Sequence, residues 1–465
     1  MPAHATTGNT RVQAWLSVAV LIGAGLFGGG QGGLGDTLVQ VLALALLGCM
    51  AWTAGRAKLH WQGPAWAPWL PLLAVLPVAL QLLPVPESLW AASPARAELG
   101  AQLLLAGASH ARALSLNPGA TEHALWSLLP ACALFVSVLL LPSAWQRRLL
   151  GIIVVLALCN FVLGLAQLSD GQASVLRFYH PTNPESAVGF FANRNHLASL
   201  LVLSLPLVLV AAGWAVSERL AGRELSLAWP LAATIAIVLL ILGIALAKSR
   251  AGLLLGMVAL IGSLPIVLAL RRQRGTRRVL AVVLGLAVVA TVQFALFGIL
   301  ERTQSDPLDD GRWHIAEVTR EAARAHAPLG SGFGTFRQAY QPFELRSAPG
   351  AAIVNHAHDD YLEIWLEGGW PAVAAMLAAA LAWLSLGIRL WRRGPAPGER
   401  GHSARLLART AYLAASLPLL HSALDYPLRT TAMMSMFAVV AATAFAGWPK
   451  NVGAASAAIN PVNRG

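Results

Sequence analysis

The sequence predicts an all-α polytopic membrane protein of about twelve transmembrane helices, with a large outer loop that contains short amphipathic helices. Three observations carry that expectation. The 465 residues are 57% hydrophobic and 12% charged, with a mean hydropathy of +0.62. Apolar runs of about 17–25 residues recur along the chain, the length that crosses roughly 30 Å of hydrocarbon. The charges outside those runs are distributed unevenly between the two sides. A β-barrel is excluded, because barrel strands alternate apolar and polar residues and these runs do not.

In order, the expected spans are 14–30, 37–54, 66–84, 124–142, 148–168, 196–214, 228–247, 251–270, 279–299, 370–391, 408–424 and 429–447. The first is too polar at its start, and too embedded among further spans, to read as a cleaved signal peptide. The chain thus divides into residues 1–299, holding nine spans and the outer loops 85–123 and 169–195; a large outer loop, 300–369; three spans in 370–447; and a tail, 448–465.

A net charge of +12 invites a nucleic-acid partner, and its distribution argues against one. With the N-terminus inside, the inner segments hold twenty Lys/Arg, including Arg56, Lys58, Arg147 and Arg148, against three acids. The outer segments hold thirteen against eighteen. This is the positive-inside pattern. Membrane lipids are the expected contacts of the basic patches, and no nucleic-acid recognition motif accompanies them. Cys49, Cys132 and Cys159 all fall in spans, where a thiol acts as a small hydrophobe and implies neither a disulfide framework nor a metal pair.

The long gaps all lie outside, so the chemistry is expected there. In the largest, Asp306–Gly311 reads as a turn. Arg312–Ala325 reads as an amphipathic helix with Trp313, Ala316, Val318, Ala322 and Ala323 on one face, lying near the membrane or capping a cavity. The Gly330-Ser-Gly-Phe-Gly334 run follows no strand and fails the context test for a dinucleotide site; it reads as a tight turn.

Four polar clusters sit at outer helix ends: Asn193-Arg194-Asn195-His196, Lys248-Ser249-Arg250, the stretch His356–Asp360, and His421 with Asp425. Charge is expensive in a bilayer, so this concentration points to a reaction site at the membrane surface. Arg194, Lys248 and Arg250 are suited to a phosphate or diphosphate, and a nearby histidine to a proton taken from a sugar hydroxyl. Together they describe glycosyl transfer from a polyprenyl-diphosphate sugar. Each has a plainer reading beside it. Arg194 also reads as an interface anchor, Lys248 first as a snorkelling side chain, His356 and His358 as residues at a helix mouth, and His421 with Asp425 as a structural pair. His356, His358, Asp359 and Asp360, or Asp306, Asp309 and Asp310, have metal-ligand types without a specific ligand spacing, so neither a metal nor a cofactor is expected.

These residues resemble the O-antigen ligase family, which also includes O-antigen and exopolysaccharide polymerases and protein O-oligosaccharyltransferases. The likeness rests on Phe190-Phe-Ala-Asn-Arg-Asn-His196, Ser249-Arg-Ala-Gly252, Gly330-Ser-Gly-Phe-Gly334, and His358-Asp-Asp-Tyr-Leu362 with Glu367-Gly-Gly369, in that order. The resemblance implies an inverting, metal-independent transferase of the bacterial inner membrane, with its active site facing the periplasm. The donor would be an undecaprenyl-diphosphate-linked glycan and the acceptor lipid A–core or a growing polysaccharide. It implies catalytic roles for His358, Arg250 and Arg194, and substrate contacts by Arg312, His356, Asn193, His196, Lys248 and Asp359. Asp359 stands where the family pattern has Asn. A polymerase or protein-glycosylating enzyme with the same donor is the alternative within the class. A lipid-linked sugar transporter is the alternative outside it, although the polar groups cluster on one face and no repeated halves are visible.

Overall fold

The computed structural model describes residues 8–30, 32–56, 59–91, 93–107, 112–180, 183–220, 226–270, 285, 307–344, 353–392 and 401–448. Helices dominate them, as expected of chain that must satisfy its backbone hydrogen bonds internally in hydrocarbon. The first two, α1 (Gly8–Phe27) and α2 (Leu34–Ala54), pack side by side as a hairpin. The third apolar run is broken by proline: a 3-10 turn at Ala67–Trp69, then α3 (Leu72–Leu80), whose N-cap is Pro71.

The next outer segment is partly ordered by α4 (Glu87–Trp90) and α5 (Pro94–Leu105). Two-residue strands, β1 (Pro84–Val85) and β2 (Arg112–Ala113), pair antiparallel, with Pro84 opposite Ala113. There follow α6 (Pro118–Leu140), α7 (Ser143–Ser169), α8 (Arg194–Leu220), α9 (Ala228–Leu246) and α10 (Arg250–Leu268). The expected span 279–299 lies outside the described residues except for residue 285.

Beyond it come α11 (Pro307–His326), α12 (Phe336–Tyr340), α13 (Asp360–Trp391), α14 (His402–His421) and α15 (Thr431–Ala446). Eight described helices, α1, α2, α6 to α10 and α13, are long and apolar enough to cross a membrane. The chain is an all-α polytopic membrane protein. At 16 residues, α15 is shorter, yet it forms the centre of the bundle. Thirteen of its residues are buried, against α6, α14 and α1. Small residues allow that closeness, Ala438, Ala441, Ala442 and Ala444 among them.

Two boundaries and one helix face differ from the sequence reading. From Pro307, the expected turn is already the start of α11. That helix buries Val318, Ala322 and Ala323 but leaves Trp313 77% exposed, so the tryptophan is off the packed face. Helix α13 starts ten residues before the expected span. Asp359 caps it, its carboxylate accepting from the backbone N–H of Tyr361 (2.9 Å) and Leu362 (3.1 Å). The helix breaks once, at Gly369 (φ 61°), leaving a polar segment above and a long apolar one below.

That break is where the glycine run docks. Ser331 and Gly332 donate backbone bonds to the carbonyls of Leu366 (2.9 Å) and Glu367 (2.8 Å), and Trp370 donates to Pro328 (2.8 Å). A Cβ at Gly330 would lie 2.3 Å from the Glu367 carbonyl oxygen, and one at Gly369 2.2 Å from that of Pro328. Both positions have positive φ, so glycine is required twice over. The 85–123 segment closes over the same run: Arg96 donates to the Gly330 carbonyl and Leu116 N–H to that of Ser331.

Candidate functional site

Six helix ends converge on one end of the bundle. Ala192 N–H bonds the Gly29 carbonyl after α1, Asp360 N–H bonds the Ser422 carbonyl after α14, and Ala432 N–H at the start of α15 bonds that of Gly28. The start of α10 packs on α8, where a Cβ at Gly252 would stand 2.7 Å from that of Ala198.

At the centre is the connection between α14 and α15, from Ser422 to Thr430. Asp425 is fully buried there. One carboxylate oxygen accepts from the Tyr426 N–H (2.9 Å) and lies 3.3 Å from His358 Nδ1. The other accepts from the Asn195 side-chain amide. Burial alone would lift its pKa; the bond and charge of His358, with His196 and His421, outweigh burial and hold it well below the usual carboxylate range. Asp425 is therefore an anion inside the protein, held by groups from two distant segments and its own neighbours.

Tyr426 forms the floor. The His356 ring stacks on it at 4.1 Å between centroids, and His358 (5.2 Å) and His196 (5.1 Å) meet it at steep angles. Its hydroxyl accepts from Asn193 at 3.4 Å. Burial, then the charge of Asp425, raises its pKa, so it stays a neutral phenol.

The two loop histidines are held differently. His356 Nδ1 lies 2.8 Å from Glu363, whose second oxygen accepts the Ala357 N–H at 2.8 Å. Burial disfavours its imidazolium, but Glu363 more than compensates and raises its pKa. His358 is more open, with 28% of its side chain exposed. Its φ is 52°, as is that of Lys248, and among the described residues these are the non-glycines with positive φ. Such backbone is uncommon outside glycine and clusters at functional sites.

Beside His356 lies an ion cluster that the sequence reading did not single out. Arg429, in the 3-10 turn Pro427–Arg429, reaches Asp360 (3.2 Å), Glu363 (3.4 Å) and Glu367 (2.7 Å). Burial would lower its pKa; the three carboxylates outweigh that and raise it. The signal was available, since Asp360, Glu363 and Glu367 are spaced i, i+3 and i+7 and so share a helix face that needs a cation.

The other expected site residues distribute as follows. Asn193 accepts the Asn195 N–H at 2.8 Å and organises the first turn of α8. His196 is buried, and neither ring nitrogen hydrogen-bonds among the described residues. Arg194, half-buried, reaches Ser186 at 3.5 Å. Arg312 extends from α11 to the Leu424 carbonyl at 3.4 Å, next to Asp425. Lys248 and Arg250 are exposed at the three-residue turn between α9 and α10. Asp359 and Asp360 do not partner the His358 ring: Asp359 caps α13 and Asp360 binds Arg429 and Ser422 (2.7 Å), leaving Asp425 for the imidazole. His421 shares a backbone bond with Asp425, but its Nδ1 pairs with Ser199. No group of three or more His, Cys, Asp and Glu among the described residues is arranged to hold a metal ion.

No curated protein matches the chain. Residues 235–393 match the family model described as O-antigen ligase. The matched stretch includes Lys248, Arg250, Arg312, His356, His358 and Asp359; it starts after Arg194 and stops before Asp425 and Arg429. This match supports the O-antigen ligase family for a multi-pass membrane chain whose histidines and arginines gather at one end.

Proposed function

We propose that the protein is a glycosyltransferase of the periplasmic face of the bacterial inner membrane. It moves a glycan from undecaprenyl diphosphate to an acceptor hydroxyl, in O-antigen ligation to lipid A–core. The observation that carries this reading is the His358–Asp425 pair, a partly exposed imidazole backed by a buried anion at the mouth of a membrane bundle.

The ionised Asp425 orients His358 with Nδ1–H toward the carboxylate, leaving Nε2 as the acceptor. The acceptor hydroxyl oxygen attacks the anomeric carbon of the donor from the face opposite the diphosphate. Its proton passes to Nε2, the new glycosidic C–O bond forms, and the bond to the diphosphate oxygen breaks with its electron pair. The configuration inverts. Arg194 and Arg250 stabilise the charge that grows on the departing diphosphate, with Lys248 as a further point charge. Arg312 ties α11 to the Leu424 carbonyl in the connection after α14, and His356, Asn193 and His196 surround the acceptor side. Proton transfer to a positioned base contributes about 10²–10⁴-fold.

The test is a product assay. Purified protein in lipid receives labelled undecaprenyl-diphosphate oligosaccharide with and without lipid A–core, beside His358→Ala and Arg250→Ala. Label reaching lipid A–core in the wild type alone supports the reading. A ladder growing on the carrier without core identifies a polymerase instead. Wild-type transfer by either purified variant refutes the assignment of roles.

A further inference from the structure

A cavity of about 510 Å³ opens between α2, α3, α6, α13, α14 and α15. None of Arg194, Lys248, Arg250, Arg312, His356 and His358 lines it. Its size falls within the roughly 300–1,000 Å³ of small-molecule sites. Its walls are graded. At the outer end stand Asp36, His123, Asp360, Tyr361, Ser422 and Arg429. Further in, the walls are Leu73, Pro77, Leu128, Met376, Ala379 and Met434. Ala379 lies ten residues past the break at Gly369, roughly 15 Å at about 1.5 Å per residue. That is about half of a ~30 Å hydrocarbon core. The apolar part is therefore one leaflet deep.

The polar end is unfinished in a specific way. Asp36 is 5% exposed. Its Oδ2 accepts the Gly32 N–H at 2.8 Å, while Oδ1 has no hydrogen-bond partner among the described residues. Arg429 Nη2 is likewise buried without a partner. A buried carboxylate oxygen seeks a cationic donor and a buried guanidinium nitrogen seeks an anionic acceptor. Arg429 is already surrounded by three carboxylates, and Asp36 adds a fourth acid nearby, so the end as a whole disfavours a purely anionic head.

We propose that this cavity binds an aminophospholipid of the outer leaflet, its ammonium on Asp36, its phosphate on Arg429 Nη2, and an acyl chain along α3 and α13. The site is separate from the diphosphate-binding arginines and does not depend on the transferase reading.

The test is photo-crosslinking of the full-length protein in nanodiscs, with phosphatidylethanolamine or phosphatidylglycerol carrying the same diazirine acyl chain, read by peptide mapping of α3 and α13. The expected result is at least about fivefold more labelling by the ethanolamine lipid, about 1 kcal/mol at 1.4 kcal/mol per tenfold, competed by its unlabelled form. Asp36→Asn should bring the two lipids to parity, and Ala379→Trp, on an exposed alanine, should reduce both. With the wild type alone, phosphatidylcholine, which has no N–H, should compete poorly. Equal labelling by both phospholipids, a preference untouched by Asp36→Asn, or displacement by a glycosyl diacylglycerol as effective as by the ethanolamine lipid would each overturn the proposal.

Discussion

Removing the charge of Arg429 tests the electrostatic logic of the site directly. Its guanidinium lies 3.2, 3.4 and 2.7 Å from Asp360, Glu363 and Glu367, with the arginine side chain 18% exposed and the three carboxylates 6%, 1% and 1%. Arg429→Gln keeps much of the volume and leaves three buried acids without their common cation. Breaking one buried pair by deleting a partner costs about 3–5 kcal/mol. The loss should reach at least that range, a fall on the order of 10 °C in the unfolding midpoint. Unpaired buried carboxylates take up protons, so the deficit should shrink as pH falls from about 8 to about 5.5. Arg429→Lys keeps a charge but not the fork, and should fall between. The double variant Arg429→Gln/Glu367→Gln should lose less than the sum of the two single changes. The assay is thermal unfolding in micelles followed by the emission of the 16 tryptophans. A shift under about 2 °C, or a deficit that does not change with pH, refutes the reasoning.

Three further outcomes follow from the same geometry. Asp359→Asn should retain the cap on α13 and unfold within about 0.5 kcal/mol of the wild type, whereas Asp359→Ala should lose about 0.5–2 kcal/mol; chemical denaturation separates them. Gly330→Ala meets the Glu367 carbonyl at 2.3 Å with φ at 78° and should lower both stability and transfer, while Gly311→Ala, with nothing within 4 Å and a place in α11, should gain about 0.5–1 kcal/mol. The His356 pKa is raised on folding, so its pairing with Glu363 stabilises fully below the unfolded value of about 6.5 and is lost as pH climbs through the higher folded value. The difference in unfolding midpoint between wild type and His356→Gln should therefore diminish from about pH 6 to about pH 9, and a constant difference would count against the pair.

Hydropathy made the fold class legible because spanning helices must be long and apolar, and that demand is written in consecutive residues. The short elements escaped it. The 66–84 run has the composition of a span, but with Pro68 and Pro71 ahead of it, its longest helix is the nine residues of α3. The site was legible as clusters and not as pairs. His356, His358, Asn193 and His196 were visible because ionisable and amide groups at helix ends are conspicuous against hydrocarbon. The carboxylate that faces His358 is none of its sequence neighbours but Asp425, 67 positions away, with Asn195 a further partner 230 positions from it. Spacing along one helix reveals a shared face; which faces meet depends on packing of α8, α14 and α15, which no local pattern encodes. Arg429 was hidden for a related reason. It was absorbed into the start of an apolar run, although three acids on one face of α13 require a cation from somewhere.

The replacement of the expected Asn by Asp359 has a physical account. The side chain does not touch the His358 ring; it accepts two backbone N–H groups at the start of α13, a task Asn and Asp perform about equally. What sets His358 is everything around that cap. The preceding residue, Ala357, is pinned by Glu363, which Arg429 holds in turn. The following residue begins a helix. Between them the backbone of His358 must pass through a left-handed conformation, at about 1–2 kcal/mol, and that places the imidazole at 3.3 Å from Asp425. A histidine on a relaxed loop would sample many orientations; here the strain is carried by a cap on one side and an ion cluster on the other. In the proposed transfer, the acidic cluster therefore acts at a distance, by fixing the loop, and its loss should reduce turnover even with Arg194 and Arg250 unchanged.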